Sequence, residues 1–343
     1  MPPNELQQTA NALVAAGKGI LAADESGGTI KKRFESIGLE STEEHRRSYR
    51  EMLLTTPGVE DYISGVILFD ETIRQSASDG TPFSELLAAK GIIPGIKVDR
   101  GAKPLALANR ETITEGLDGL RARLEEYRAL GARFAKWRAT YSITDELPSD
   151  YCIWSNAHAL ARYAALCQEA GIVPIVEPEV LQDGTHTIER SYHVTSRVLR
   201  AVYTELFDQR VEPAGTLLKP NMVLSGYEAS DRAGPEQVAE WTLKCLYEHV
   251  PAAVPGLVFL SGGQSDEDAT VHLNAMNATS RQHPWELSFS YGRALQAPAL
   301  KAWRGGPENV EAGQRAYSHR AKMNSAARSG TYAPELEREA VAA

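Results

Sequence analysis

Several short apolar runs of the sequence end in charged residues spaced two positions apart. Residues two apart in a β-strand point to the same face, so each such pair shares a face. Burying an unpaired charged side chain inside a sheet costs several kcal/mol of folding free energy. Each pair alone could be a structural ion pair, but the repeated placement favours a site. The pairs are Lys97 with Asp99, Lys136 with Arg138, and Glu177 with Glu179.

Lys219, in "TLLKPN", is the candidate nucleophile. Its apolar neighbours predict a dry setting, and other strand-end cations would lie nearby, so burial and like charge both favour the neutral amine. A neutral lysine can attack a ketone and form a Schiff base. Glu177 and Glu179 could move the protons that this reaction requires. The alternative is that Lys219 only pairs structurally with one of these glutamates.

Two glycine-bearing segments near the end of the sequence predict a phosphate subsite. Glycine lets backbone N–H groups approach an anion, and arginine supplies a planar pair of donors. The segments follow the last two apolar runs, which is the usual position for phosphate in a barrel. The predicted ligands are Ser261, Gly262, Gly263, Gly292 and Arg293.

A second basic segment, "ESGGTIKKRF", follows the first apolar run, which ends at Asp24. It offers Ser26, Thr29, Lys32 and Arg33 as anion ligands. The same residues could equally form a helix start with a solvated basic face. Two anion subsites on opposite sides of one mouth would fit a bisphosphate.

Eight apolar runs must position these residues. Their starts are 30 to 46 residues apart, and helical patterns fill the intervals, as in β/α units. This predicts a closed α/β TIM barrel, (β/α)8, with additional N- and C-terminal helices; a doubly wound open sheet is the competitor. We expect one domain over 1–328 and a mobile tail over 329–343. The runs are 19–24, 65–70, 95–99, 134–139, 173–178, 216–221, 257–263 and 287–292.

Composition excludes several classes of function. The net charge is 36 − 45 = −9, which disfavours nucleic acid or an anionic membrane as partner. The three cysteines lie far apart and fit a reduced compartment. No apolar run is long enough to span a membrane, and the histidines lack metal-ligand spacing, so we expect no metal and no cofactor.

The motifs together resemble one family over about residues 5 to 333. "GKGILAADES", "GIKVDRG", "FAKWR", "GIVPIVEPE", "GTLLKPNMV", "FLSGGQS" and "FSYGRALQ" are similar to those of class I fructose-1,6-bisphosphate aldolases. The resemblance implies that Lys219 is the Schiff-base lysine, Glu177 the acid/base with Glu179 beside it, and Asp24 a contact near the bond that breaks. It makes Lys97, Lys136 and Arg138 site cations. One phosphate would bind at Ser261–Gly263, Ser290, Gly292 and Arg293, and the other near Ser26, Thr29 and Arg33.

The same resemblance implies sugar-phosphate substrates, metal independence, a homotetramer, a cytoplasmic location and a role in glycolysis and gluconeogenesis. Some members also bind cytoskeletal proteins. Vertebrate members end in a tyrosine that assists proton exchange at substrate C3, whereas this sequence ends "EREAVAA". The resemblance therefore does not fix the rate of enamine protonation or the preference for bisphosphate over monophosphate. The alternatives are a transaldolase-like Schiff-base barrel, a metal-dependent aldolase and a scaffold without catalysis.

Overall fold

The structure, a computed structural model, describes residues 4–339 and contains a closed barrel of eight parallel strands. Each strand overlaps one of the predicted apolar runs, so the barrel prediction is confirmed and the open-sheet alternative is wrong. The barrel strands are β1 Gly19–Ala23, β2 Ile63–Leu68, β3 Ile93–Lys97, β6 Phe134–Tyr141, β7 Val173–Val180, β8 Leu217–Leu218, β9 Gly256–Phe259 and β10 Glu286–Tyr291.

Helices fill the intervals between strands and flank both ends of the barrel sequence, as the hydrophobic spacing predicts. Single 3₁₀ turns occur at Val59–Asp61, Pro213–Gly215 and Pro307–Asn309. The helices are α1 Glu5–Leu13, α2 Gly27–Glu35, α3 Glu43–Leu54, α4 Asp70–Ile73, α5 Phe83–Ala89, α6 Leu120–Ala129, α7 Asp150–Glu169, α8 Ile188–Asp208, α9 Pro235–His249, α10 Asp266–Asn277, α11 Arg293–Trp303, α12 Val310–Arg328 and α13 Leu336–Glu339.

Alternation along the strands separates the barrel interior from the layer under the helices. On β6, Phe134 belongs to the interior cluster, whereas Trp137 packs under the helices and stacks on Tyr163 of α7 at 5.5 Å. Lys136 and Arg138 have the parity of Phe134, so they point into the barrel as predicted. The register places Lys136 next to Lys97 on β3 and Arg138 next to Glu177 on β7.

Helix α1 closes the N-terminal end of the barrel. A Cβ atom on Gly65 would lie 2.6 Å from Leu13, and one on Gly256 would lie 2.6 Å from Val14. The ring of Phe134 fills the space beside Gly95 in the same way. Strands β2, β3 and β9 therefore need glycine at these inward positions to admit the apolar floor of the barrel.

One element was not predicted. The connection from β3 to α6 contains an antiparallel pair, β4 Ala102–Pro104 and β5 Thr112–Thr114. These strands are only three residues long, too short to show a period in the sequence.

The segment after α12 contacts the body of the protein. Tyr332 is buried, and Glu337 forms an ion pair with Arg320 at 2.5 Å and accepts a hydrogen bond from Tyr332. The mobility expected for 329–343 stays a prediction, and residues 340–343 lie outside the described part. Within residues 4–339, no helix is long and apolar enough to cross a membrane.

Candidate active site

A cavity of about 830 Å³ opens at the C-terminal ends of the barrel strands. Every catalytic and substrate-binding residue predicted from the sequence lines it, which brings together segments far apart in the chain, whereas Asp99 lines the neighbouring cavity. They are Asp24, Ser26, Thr29, Arg33, Lys97, Lys136, Arg138, Glu177, Glu179, Lys219, Ser261, Gly262, Gly263, Ser290, Gly292 and Arg293.

Lys219 lies immediately after β8 at the floor of this cavity. Its backbone N–H donates to the carbonyl of Val176 at 2.8 Å, and Pro220, which follows, cannot extend the ladder. The side chain is buried, with its amine 3.1 Å from Oε1 of Glu177. The lysine is therefore held against one carboxylate and open to the cavity.

A line of alternating charges runs from Lys219 across the barrel. Oε2 of Glu177 lies 3.4 Å from the amine of Lys136 and accepts no hydrogen bond from any described residue. The Lys136 amine in turn lies 2.7 Å from Oδ2 of Asp24. Two lysines and two carboxylates thus alternate within contact distance, which is an arrangement suited to proton transfer.

Asp24 and Lys136 each shift the pKa of the other. Burial alone would raise the pKa of Asp24, but Lys136, Lys219 and Lys97 outweigh it and hold that pKa well below its usual range. Burial alone would lower the pKa of Lys136, but Asp24, Glu177 and Asp99 raise it well above its usual range. Asp24 is thus a carboxylate and Lys136 an ammonium at neutral pH.

Two further ion pairs line the wall on the β3 and β6 side. Lys97 donates to Oδ1 of Asp99 at 2.6 Å, and the guanidinium of Arg138 forms an ion pair with Glu179. The Arg138 side chain is nearly half exposed to the cavity. These cations remain available to a ligand because the cavity reaches them.

The loop after β9 and the start of α11 form the predicted phosphate region. Gly262 and Gly263 have φ of +57° and +98°, a conformation that other residues adopt only with strain. Among residues 4–339 no side chain caps α11, whose N-cap is Gly292, so its first N–H groups can serve an anion. The hydroxyl of Ser290 is buried and has no hydrogen-bond partner among the described residues. Unpaired donors therefore converge beside Arg293.

Ser26 and Thr29 face another part of the mouth. They line a neighbouring cavity of about 660 Å³ together with Lys97 and Arg138. In the described part of the chain no side chain caps α2 at Ser26, whose hydroxyl lies 3.2 Å from that of Thr29. This region could hold a second anion.

Arg33 shares the main cavity with Ser26 and Thr29, the residues with which the resemblance groups it, but it also approaches α11. A Cβ atom on Gly292 would lie 3.7 Å from Nη2 of Arg33, so this arginine lies at the α11 side of the mouth. The cause is its place near the end of α2, where Glu25 binds its guanidinium. Arg33 and Arg293 both border a small recess of about 110 Å³.

The sequence also missed the buried network that holds Arg33. Glu25 pairs with Arg33 and with Arg50 of α3, the latter at 2.5 Å, and accepts a hydrogen bond from Gln296 at 2.8 Å. Burial would raise the pKa of Glu25, but the two arginines lower it. No local pattern links Glu25 to Arg50, because a helix and a strand end far apart in sequence meet here.

Tyr227 is a further cavity residue that the sequence did not indicate. Its hydroxyl donates to the carbonyl of Gly262 at 2.7 Å. A tyrosine in a loop carries no motif, so only the folded position reveals it.

Groups of three or more His, Cys, Asp or Glu side chains that could hold a metal ion do not occur within residues 4–339. The cysteines Cys152, Cys167 and Cys245 are buried and unpaired. Metal independence itself stays a prediction.

Comparisons with known proteins agree with this architecture. Residues 5–343 match the family model described as fructose-bisphosphate aldolase class-I. A probable fructose-bisphosphate aldolase class 1 of Xanthomonas axonopodis pv. citri is 57% identical, over 97% of this chain and 99% of its own. The cytosolic fructose-bisphosphate aldolase 4 of Arabidopsis thaliana is 54% identical, over 96% of this chain and 84% of its own.

A solved structure shows the same fold. Fructose-bisphosphate aldolase from Plasmodium falciparum, crystallised in complex with TRAP and a small-molecule inhibitor, superposes with a TM-score of 0.94. It is 50% identical and covers 96% of this chain and 95% of its own.

The fold and site thus define a barrel lyase that handles phosphorylated sugars. The chain belongs to the class-I fructose-bisphosphate aldolase family. Its function is the reversible aldol cleavage of fructose 1,6-bisphosphate to dihydroxyacetone phosphate and glyceraldehyde 3-phosphate, with a role in glycolysis. The family prediction is confirmed, and the transaldolase-like alternative is set aside.

Proposed function

We propose that Lys219 is the Schiff-base residue of this aldolase and that Glu177 is its proton-transfer partner. The observation that carries the proposal is the 3.1 Å distance between the Lys219 amine and Oε1 of Glu177, at the floor of the only cavity that contains all the predicted site residues of the described chain. A nucleophilic lysine needs an adjacent group that takes and returns protons, and Glu177 is placed to do so.

The reaction begins with the amine of Lys219 attacking the C2 ketone of fructose 1,6-bisphosphate. Glu177 protonates the departing hydroxyl of the carbinolamine, so that water leaves and a protonated imine forms. Loss of the C4 hydroxyl proton then breaks the C3–C4 bond. The bonding electrons move to the imine, which becomes an enamine, and glyceraldehyde 3-phosphate is released. Protonation at C3 and hydrolysis release dihydroxyacetone phosphate.

Glu177, rather than Asp24, accepts the C4 hydroxyl proton in this scheme. Lys136 holds the pKa of Asp24 well below its usual range, and a carboxylate with so low a pKa is a weak base. Asp24 instead accepts a hydrogen bond from the substrate and orients it. Lys136 offsets the negative charge that develops near Asp24 and Glu177.

The two phosphates bind at the two regions of unpaired donors. One lies at Ser261–Gly263, Ser290 and the start of α11, with Arg293 and also Arg33. The other lies at Ser26, Thr29 and Lys97. This division supports a bisphosphate, because each region carries its own cations and helix N-terminus.

Borohydride reduction in the presence of dihydroxyacetone phosphate and a chelator tests the proposal. Peptide mass mapping should place the reduced adduct on Lys219. Lys219→Arg keeps the charge but removes the nucleophile, so it should abolish both adduct and turnover. Lys322→Arg, at an exposed lysine of α12, is the matched control and should react normally. Normal turnover of Lys219→Arg contradicts the proposal, and a wild-type protein without turnover would favour a scaffold.

We also propose a cytoplasmic homotetramer. The cytosolic Arabidopsis relative supports the location, as do three unpaired buried cysteines, which fit a reducing compartment. The family resemblance supports the tetramer, and light scattering in solution measures it. Binding to a cytoskeletal protein remains an expectation from the resemblance alone.

A further inference from the structure

Tyr227 contacts two loops at the opening of the cavity, one after β7 and one after β9. It lies in the segment between β8 and α9 and is half-buried. Its hydroxyl donates to the carbonyl of Gly262, in the loop Ser261–Gly263 that follows β9. We call this loop the phosphate loop.

The other side of Tyr227 is fixed to the loop that follows β7. Its backbone N–H donates to the carbonyl of Gln182 at 2.9 Å, and the N–H groups of its two neighbours donate to His186 and Gly184 at 2.8 and 2.9 Å. The strand β7 carries Glu177. Tyr227 is thus held by a rigid backbone ladder, and its side chain reaches from there to the phosphate loop.

This ladder requires a very close backbone approach. A Cβ atom on Gly226 would lie 2.2 Å from the carbonyl oxygen of Gly184. Glycine at 226 therefore permits the contact that places the Tyr227 backbone.

The hydrogen bond from Tyr227 orients one peptide group of the phosphate loop. In a trans peptide the C=O and the following N–H point in opposite directions. Holding the Gly262 carbonyl on the tyrosine therefore fixes the direction of the Gly263 N–H. The structure gives the N–H groups of Gly262 and Gly263 no acceptor within residues 4–339. Both glycines line the cavity, so these donors can serve a ligand.

The tyrosine ring and an arginine enclose the same glycine. A Cβ atom on Gly263 would lie 3.2 Å from the Tyr227 ring and 3.2 Å from Nη2 of Arg293. The ring and the Arg293 guanidinium therefore both lie beside the phosphate loop. The Arg232 guanidinium lies 5.5 Å from the ring centroid.

The hydroxyl stays protonated under working conditions. Burial raises the pKa of Tyr227 to about 12, although Arg293 and Arg232 act to lower it. The group is therefore a constant donor to Gly262 rather than a proton carrier.

We propose that Tyr227 is a positioning residue that sets the affinity of the phosphate loop for the substrate phosphate, without taking part in imine formation. This rests on the proposed function, in which the loop binds one phosphate. The prediction is specific, because an unphosphorylated ketone should bind without help from Tyr227.

The test compares two ketones that differ only in the phosphate. Reductive trapping is measured against the concentration of dihydroxyacetone phosphate and of dihydroxyacetone, for wild type and Tyr227→Phe. We expect the half-saturating concentration of dihydroxyacetone phosphate to rise by about tenfold, the equivalent of one lost hydrogen bond. The half-saturating concentration of dihydroxyacetone should stay within about twofold of the wild-type value.

A matched control is available on the outer layer. The hydroxyl of Tyr192 donates to Glu248 away from the mouth, so Tyr192→Phe also removes one tyrosine hydrogen bond. It should leave both ketones unaffected. Dihydroxyacetone trapping also shows whether Tyr227→Phe has folded.

Two results would overturn the inference: an unchanged response to dihydroxyacetone phosphate, or an equal loss for both ketones. Failure of the proposed function looks different, because wild-type protein would then give no adduct on Lys219 with either ketone.

Discussion

The amine of Lys136 and the carboxylate of Asp24 lie 2.7 Å apart, and each holds the other in its charged form. The pKa of Asp24 is lowered, so its contribution to stability is present above the ordinary value of 3.8 and is lost as the pH falls through the acid range. The pKa of Lys136 is raised, so its contribution is present below 10.5 and is lost as the pH rises beyond that value. The pair is thus fully stabilising between these two limits.

Replacing Lys136 by methionine should lower the free energy of unfolding. Asp24 and Glu177 would lose their shared cation, and removing one partner of a buried ion pair costs about 3–5 kcal/mol. Urea unfolding at pH 7 measures the loss, with Lys322→Met on the surface of α12 as control. The difference from wild type should shrink below about pH 4, where carboxylates become protonated. A difference independent of pH would contradict the assignment.

Two glutamates on one face of β7 should behave differently. Glu177→Gln removes the proton-transfer group beside Lys219 and should slow adduct formation by about 10²-fold or more. Glu179→Gln, the matched variant two residues away, loses the ion pair with Arg138 and should change that rate far less. The rate of borohydride-trapped adduct at saturating ketone separates them. Equal rates for the two variants would remove Glu177 from its role.

The network around Glu25 should stabilise the protein and place Arg33. Glu25→Gln leaves Arg33 and Arg50 without their shared carboxylate, so we expect a loss of about 3–5 kcal/mol in the free energy of unfolding. Glu71→Gln breaks a half-exposed pair with Arg46 and should cost at most about 1 kcal/mol. KM for fructose 1,6-bisphosphate should rise only in the Glu25 variant. Similar losses in both variants would mean that burial of the network matters little.

Gly226 should tolerate no side chain. Gly226→Ala would force a methyl group against the Gly184 carbonyl, so we expect a loss of about 1–3 kcal/mol from overpacking. Gly234→Ala lies in the same loop, and the nearest atom to its Cβ position is 3.9 Å away, which makes it the control. Thermal unfolding compares the two. A smaller shift for Gly226→Ala than for Gly234→Ala would show that the loop moves aside.

The barrel and the cavity residues could be predicted because they follow local rules. Buried parallel strands give continuous apolar runs, and a charged residue on an inward position stands out against them, as Lys136 and Glu177 do. Contacts between segments far apart in the chain produce no local sequence pattern. The sequence therefore could not show that Glu25 binds Arg33 close to Gly292, or that the Tyr227 hydroxyl donates to the Gly262 carbonyl. The short pair β4 and β5 was missed because three residues cannot establish a period.

Leu13 of α1 and Val14, which follows it, form an apolar floor that closes one end of the barrel, so the interior opens only at the other end. Water, substrate and both products must then share one opening. On the proposed mechanism, the enamine remains tethered to Lys219 at the base while the aldehyde is free. The aldehyde must leave first, and in the synthetic direction the ketone must arrive first. This order follows from the covalent link to Lys219, and the closed floor leaves each species the same opening by which to enter or leave.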